Sequence, residues 1–335
     1  MDETNQAQSP SLGEQFSNFK FLLTNTFTIV GRDSDILTPL IRNIVYSIIQ
    51  LLTFFTSVYL YAIGSALYGS VALLLWLCLF TYFVFYLNYQ EMRLSWLVSE
   101  TLKGNDQSFS DACDRTNKVK GEVRWIAIID ILMNYILSQT RSDGEGGGIT
   151  SFLMNMFAEG LEQAWDLANH YLIPYVAIEG KSLKEGVKSM QQLKDEVPES
   201  LAGIFGIDIL GYIGRVLTLP LHFIFIVIAF VIASLGADLM PDSTLITLPH
   251  NLAKQVSFLV GESGQISWLP IIVFLFFSMS LGSAIKRTIT AIKISYFTIF
   301  YMKITHPDEI TPELQDQLDD FLQLKESPGS EETED

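Results

Sequence analysis

The chain has 335 residues, of which 49% are apolar and only 17% charged, and its mean hydropathy is +0.31. An ordinary soluble domain carries roughly a quarter charged residues. These values exclude a disordered chain, a collagen-like chain and a disulfide-rich secreted module, and they argue against a soluble globular enzyme. The net charge of -16 argues against nucleic acid as a partner, because a phosphate-binding surface needs clustered cations.

Residues 1–10 read as a disordered polar tail. The first fifteen residues, MDETNQAQSPSLGEQ, lack the basic start and apolar core of a signal peptide. Residues 11–30 carry sparse apolar residues at helical spacing, the pattern of a helix lying on a bilayer or on a bundle. Asn43 to Gln90 holds no charge. A transmembrane helix needs only about 20 mostly apolar residues, and Gly64-Ser65-Ala66 interrupts the run. Two spans are therefore expected, 43–63 and 67–89, joined by a tight turn.

A second amphipathic stretch, 107–123, precedes a weaker span at 124–139, which is short and holds Asp130. The glycine run Gly144 to Gly148 reads as a linker. The next span, 151–178, is long but contains Glu159, Glu162 and Asp166. A third amphipathic stretch follows at 181–197. Asp208 and Arg215 then lead into the charge-free run 216–237, where Pro220 is expected to kink the helix. Arg215 can snorkel to the inner surface or pair with an intramembrane acid from another helix. The last charge-free run is 263–285. Residues 306–335 form an acidic tail whose final ten residues carry five acids and no base.

With all six segments crossing and the N-terminus inside, eighteen Lys and Arg fall on the inner side and two, Arg141 and Lys254, on the outer. That asymmetry is the positive-inside signature. It predicts a multi-pass protein of the plasma (inner) membrane with both termini cytoplasmic. Losing the two weak spans as a pair leaves the later ones correctly oriented, so a four-span arrangement with 124–178 on the surface stays open. The fold class expected is all-α, a polytopic bundle of about six helices over 11–305.

An internal repeat is suggested by similar text. Ser108-Phe109-Ser110-Asp111-Ala112 parallels Ser182-Leu183-Lys184-Glu185-Gly186. Lys120-Gly121-Glu122-Val123 parallels Lys194-Asp195-Glu196-Val197, and Ile129-Asp130-Ile131-Leu132 recurs as Ile207-Asp208-Ile209-Leu210. The N-terminus offers a weaker third copy, from Ser11 to Leu37. Parallel repeats of this kind occur in some transporters.

The stretch with Trp165, Ala168, Pro174 and Glu179, then Gly186, Ser189, Leu193, Gly203 and Gly206, resembles a prokaryotic multi-pass membrane family of unknown function. Phe16 to Leu40 and residues 108–125 fit the same loose pattern, so the resemblance covers most of 15–300. Val197-Pro198 departs from it, at a place where the family often has an aromatic residue. The resemblance implies about six membrane helices and no assignable activity.

Templates for soluble enzymes are absent: no HExxH, GxSxG, GxxxxGK[ST] or strand-linked GxGxxG occurs. Cys78 and Cys113 form no CxxC or Cys/His cluster, and His170, His222, His250 and His306 are scattered, so neither a metal nor a cofactor is expected. Asp130 and Asp208 form a formal pair of intramembrane acids without the glycine signature of an aspartyl intramembrane protease. The strongest chemical pattern is a stripe on the fourth span. At 100° per residue, Asn155, Glu159, Glu162, Asp166, Asn169 and His170 fall within about 100° of one another. Carboxylates facing lipid cost about 2.5–3.5 kcal/mol each. The stripe therefore faces water, the bundle interior or a cation, unless residues 151–166 form an outer interfacial helix. The expected role is a non-enzymatic scaffold or accessory subunit, with the lipid bilayer as one partner and a protein partner or a second copy met through the amphipathic helices. The alternative is a small-solute or ion pathway along the stripe.

Overall fold

The computed structural model describes residues 34–142, 161, 165, 168–193, 207–235, 240–241, 244–247 and 265–315. Nearly all of them are helical. A 3-10 turn at Ser34–Ile36 leads into α1 (Leu37–Ala62) and α2 (Ala66–Leu102). Next come α3 (Phe109–Lys118), α4 (Lys120–Ser142), α5 (168–179), α6 (Leu183–Leu193), α7 (Ile207–Leu235) and α8 (Trp268–Thr305). A 3-10 turn at Pro307–Glu309 and a helical turn at 312–315 follow.

Among the described residues, four helices are long and apolar enough to cross a membrane: Ser34–Ala62, Ala66–Leu102, Thr218–Leu235 and Trp268–Thr305. Their outward residues support that reading. Leu67 is 73% exposed, Leu235 69% and Phe223 68%, an arrangement that water would penalise and lipid would not. The chain divides into two compact units, one of Met1–Pro39, Asn88–Leu210 and Ala291–Asp335, the other of Leu40–Leu87 and Gly211–Thr290.

In the second unit the expected turn separates α1 from α2. Gly64 adopts φ +79, a left-handed conformation that side chains other than glycine disfavour. The N–H groups of Gly64 and Ser65 close the end of α1 by donating to the carbonyls of Tyr61 and Leu60. Polar contacts join the hairpin. Ser57 Oγ donates to Gly69 O at 2.9 Å, and Tyr46 OH to Leu79 O at 3.0 Å. Tyr46 also stacks on Phe83 and Tyr86. Along α1, Asn43, Ser47, Gln50 and Ser57 are all buried. Their spacing puts them on one helical face, so this span turns a polar stripe into its own unit and its apolar residues outward. In α7, His222 Nδ1 lies 2.6 Å from Ser278 Oγ of α8.

One element departs from the all-α expectation. Leu245–Thr247 (β1) pairs antiparallel with Gln265–Ser267 (β2), with Ile246 opposite Ile266. Ile246 and Thr247 of β1 and Ile266 of β2 are β-branched, which favours extended backbone. The last span therefore starts at Trp268 and not at residue 263.

The first unit has its own apolar core. Leu97, Val98 and Leu102 of α2, Ala112 of α3, and Val123 and Ile126 of α4 meet Ile173 and Val176 of α5. Ile294, Ile299 and Met302 of α8 join them, as do Ile36, Ile310 and Leu314. The packed chain thus runs beyond residue 305, and the turn after α8 is anchored by the 3.0 Å bond from Thr311 N–H to Leu102 O.

Candidate functional site

Three helix ends of the first unit bring charged groups together. Glu179 closes α5, just before Gly180 at φ +69. Its Oε1 accepts from Tyr301 OH at 2.9 Å and lies 2.6 Å from His306 Nε2. His306 Nδ1 lies 3.0 Å from Glu309 Oε1. Lys103, just past α2, donates to Glu309 Oε2 at 2.9 Å and lies 3.4 Å from Glu100 Oε1. Lys181 sits 3.5 Å from Glu179 Oε2. Both ring nitrogens of His306 thus face carboxylate oxygens.

The electrostatics follow from these bonds. Burial pushes the Glu179 carboxyl up, but the bonds from His306 and then Tyr301 outweigh it and hold the group below the usual glutamate value. Glu309 is held low chiefly by the Lys103 bond. Burial pulls Lys103 down, yet Glu309 and then Glu100 raise it above the usual lysine value. The cluster is a polar brace between chain segments. Among the described residues, no group of three or more His, Cys, Asp or Glu is arranged to hold a metal ion.

The amphipathic helices are positioned by matched caps. Ser108 accepts from the Asp111 N–H, while the Asp111 carboxylate accepts from the Ser108 N–H. Ser182 and Glu185 form the same reciprocal pair. These are capping boxes. The Ser108 hydroxyl and backbone bonds depress Asp111, and the backbone and hydroxyl bonds from Ser182 depress Glu185. Each helix also receives a distant carboxylate. Phe109 N–H donates to Asp35 Oδ2 at 3.0 Å, and Leu183 N–H to Glu122 Oε2 at 3.0 Å. At the other end, the Arg115 guanidinium of α3 donates to the carbonyls of Ala177 and Ile178. It satisfies orphan groups of α5 and adds a cation at a helix C-terminus. Gly180 permits this, because a Cβ there would lie 2.7 Å from Arg115 Nη2. Beside it opens a groove of about 530 Å³ lined by Trp96, Glu100, Asp111, Asp114, Arg115 and Lys118 among others.

Of the sequence stripe, Asn155, Glu159, Glu162 and Asp166 lie outside the described residues. Its two inner members face the protein interior. Asn169 Oδ1 is buried without a hydrogen-bond partner among the described residues, and His170 is buried with its ring 4.8 Å from Phe297. Asp130 is half-buried and accepts from Trp165 Nε1 at 2.9 Å. The backbones of Asp208 and Arg215 belong to α7, while their side chains lie outside the described residues. Sequence reasoning missed Lys103, Tyr301, His306 and Glu309 as a group. Only Glu179 carried a signal, as a member of the pattern with Trp165, Ala168 and Pro174.

These features define a mostly helical protein with, among the described residues, four helices suited to crossing a membrane and a packed, capped helical unit. Compared with protein-family models, characterised proteins and solved structures, the chain matches none.

Proposed function

We propose that this is a non-enzymatic integral membrane protein, a scaffold or accessory subunit whose first unit presents helices to a partner protein or a second copy. The observation that carries the reading is the double fixing of α3 and α6. Each has a capping box and a carboxylate from a remote segment, so short helices are held rigidly with charged faces outward. Rigid presentation lowers the ordering cost of binding. Purification in mild detergent tests it: a stable stoichiometric partner or homo-oligomer supports docking, and a bare monomer under all conditions removes it.

The topology within this proposal is six spans with both termini cytoplasmic in the plasma membrane. The side of α4 bearing Trp125, Leu132 and Ile136 is exposed and apolar, which fits a lipid-facing span. The matched caps of α3 and α6 also support the internal repeat, and the resemblance to the multi-pass family fits the same plan. Cysteines placed in a background without Cys78 and Cys113 test the topology. Positions in 139–150 should label from outside only, and Lys118→Cys or Lys188→Cys from inside only.

The burial of Asn169 and His170 favours a second reading, a solute or ion pathway along α5. Asp166→Leu should then change transport in vesicles while insertion stays intact. Unchanged flux would remove the pathway.

A further inference from the structure

The outer face of α4 changes chemistry along its length. Lys120 and Arg124 are exposed on the first turns, one helical turn apart, and Lys118 is exposed just before them. Trp125 follows at 59% exposure, and then Ile131, Leu132, Tyr135 and Ile136 at 44–60%. At the helical period these residues and the half-buried Ile128 share one broad side. Val123, Ile126, Ala127 and Leu137 take the opposite side and are buried. The outer face therefore reads cation, aromatic, hydrocarbon in that order, and the apolar part from Trp125 to Ile136 is about 17 Å long. Among the described residues, none of the three cations is in an ion pair.

We propose that the foot of α4 is a site for acidic phospholipid, with Lys118, Lys120 and Arg124 taking the headgroup phosphate and Trp125 seated at the headgroup–hydrocarbon boundary. The order of groups is what a leaflet demands. Indole rings settle at the interface, and cations beside an anionic surface are drawn to it. A soluble acidic partner would match the cations but leave the adjoining apolar face uncovered, whereas a lipid covers both. The site rests on the reading of α4 as a lipid-facing span.

The test uses the full chain in nanodiscs containing phosphatidylglycerol and phosphatidylcholine, one or the other brominated near the headgroup end of its acyl chains. Bromine quenches indole on contact, and Trp125→Phe identifies the share of the signal from Trp125. Expected is quenching by the brominated acidic lipid about twofold or more above that by the zwitterionic one at equal mole fraction. The preference should vanish in K118E/K120E/R124E and in the milder K118Q/K120Q/R124Q, with zwitterionic quenching retained. Raising the salt to about 1 M should also collapse it. Equal quenching by both lipids overturns the acidic site and leaves α4 as a span. Absence of any Trp125 quenching overturns the lipid-facing reading of α4 itself.

Discussion

His306 Nε2 lies 2.6 Å from Glu179 Oε1, although 127 positions separate them in the chain. The same carboxylate oxygen accepts from Tyr301 OH. One acid at the end of α5 thus ties down both the last turns of α8 and the segment after it.

Glu179→Ala should lower the thermal midpoint in detergent by several degrees, because it strips an acceptor from Tyr301 and His306 at a largely buried site, a loss of about 1–3 kcal/mol. Lys181→Gln should change little, since Lys181 is 57% exposed and exposed pairs contribute about 0–1 kcal/mol. Equal effects of the two, read by a fluorescence melt, would refute the brace.

The brace also sets a pH dependence. The Glu179 and Glu309 carboxyls are depressed. Their contribution is present above the ordinary glutamate value of about 4.3 and is lost as pH falls through their lowered values. Lys103 is raised, so its contribution is complete below about 10.4 and is lost as pH rises through its higher value. The melting difference between wild type and Glu179→Gln should therefore shrink towards zero as pH falls below about 4. A difference that persists at low pH would exclude linkage through this carboxylate.

Loss of a cap should be felt locally. Ser182→Ala should cost about 1 kcal/mol and speed hydrogen exchange of the first amides of α6, with α3 unaffected. Ser108→Ala should do the reverse. Exchange that rises in both helices in either variant would mean that the caps do not act independently.

Core and outer positions should respond differently. Leu97 is fully buried, and Leu97→Ala should cost about 2–5 kcal/mol. Leu67, at 73% exposure, should tolerate alanine in detergent with a shift of less than about 1 kcal/mol. A melt series on purified protein distinguishes them.

The spans were legible where the chemistry is local. An uncharged run from Asn43 to Gln90 is too long for one crossing, and Gly64 marks its turn. Helix ends were less legible. Residues 91–102 bring in Glu91, Arg93 and Glu100, so hydropathy ends the span near Gln90. Leu94, Leu97 and Val98 nevertheless continue the helical period, and α2 runs on to Leu102. The β1–β2 ribbon was hidden because three-residue strands give no periodic signal. The charged brace was hidden because its members lie far apart in sequence. Single histidines and acids carry no spacing rule, and only the parallel return of α2, α5 and α8 to a common core brings their ends together.

The two remote caps bear on the order of assembly during synthesis. Asp35 precedes Phe109 by 74 residues, and Glu122 precedes Leu183 by 61. At about 5–20 residues per second, each receiving carboxylate leaves the ribosome seconds before the helix it will hold. The N-terminal caps of α3 and α6 therefore need no downstream sequence, whereas the Arg115 contact of α3 waits for Ala177 and Ile178. The Glu179–His306 contact is different, because its second half is made only when most of the chain has emerged. The two caps can thus form in chain order, and the brace is a contact that closes late.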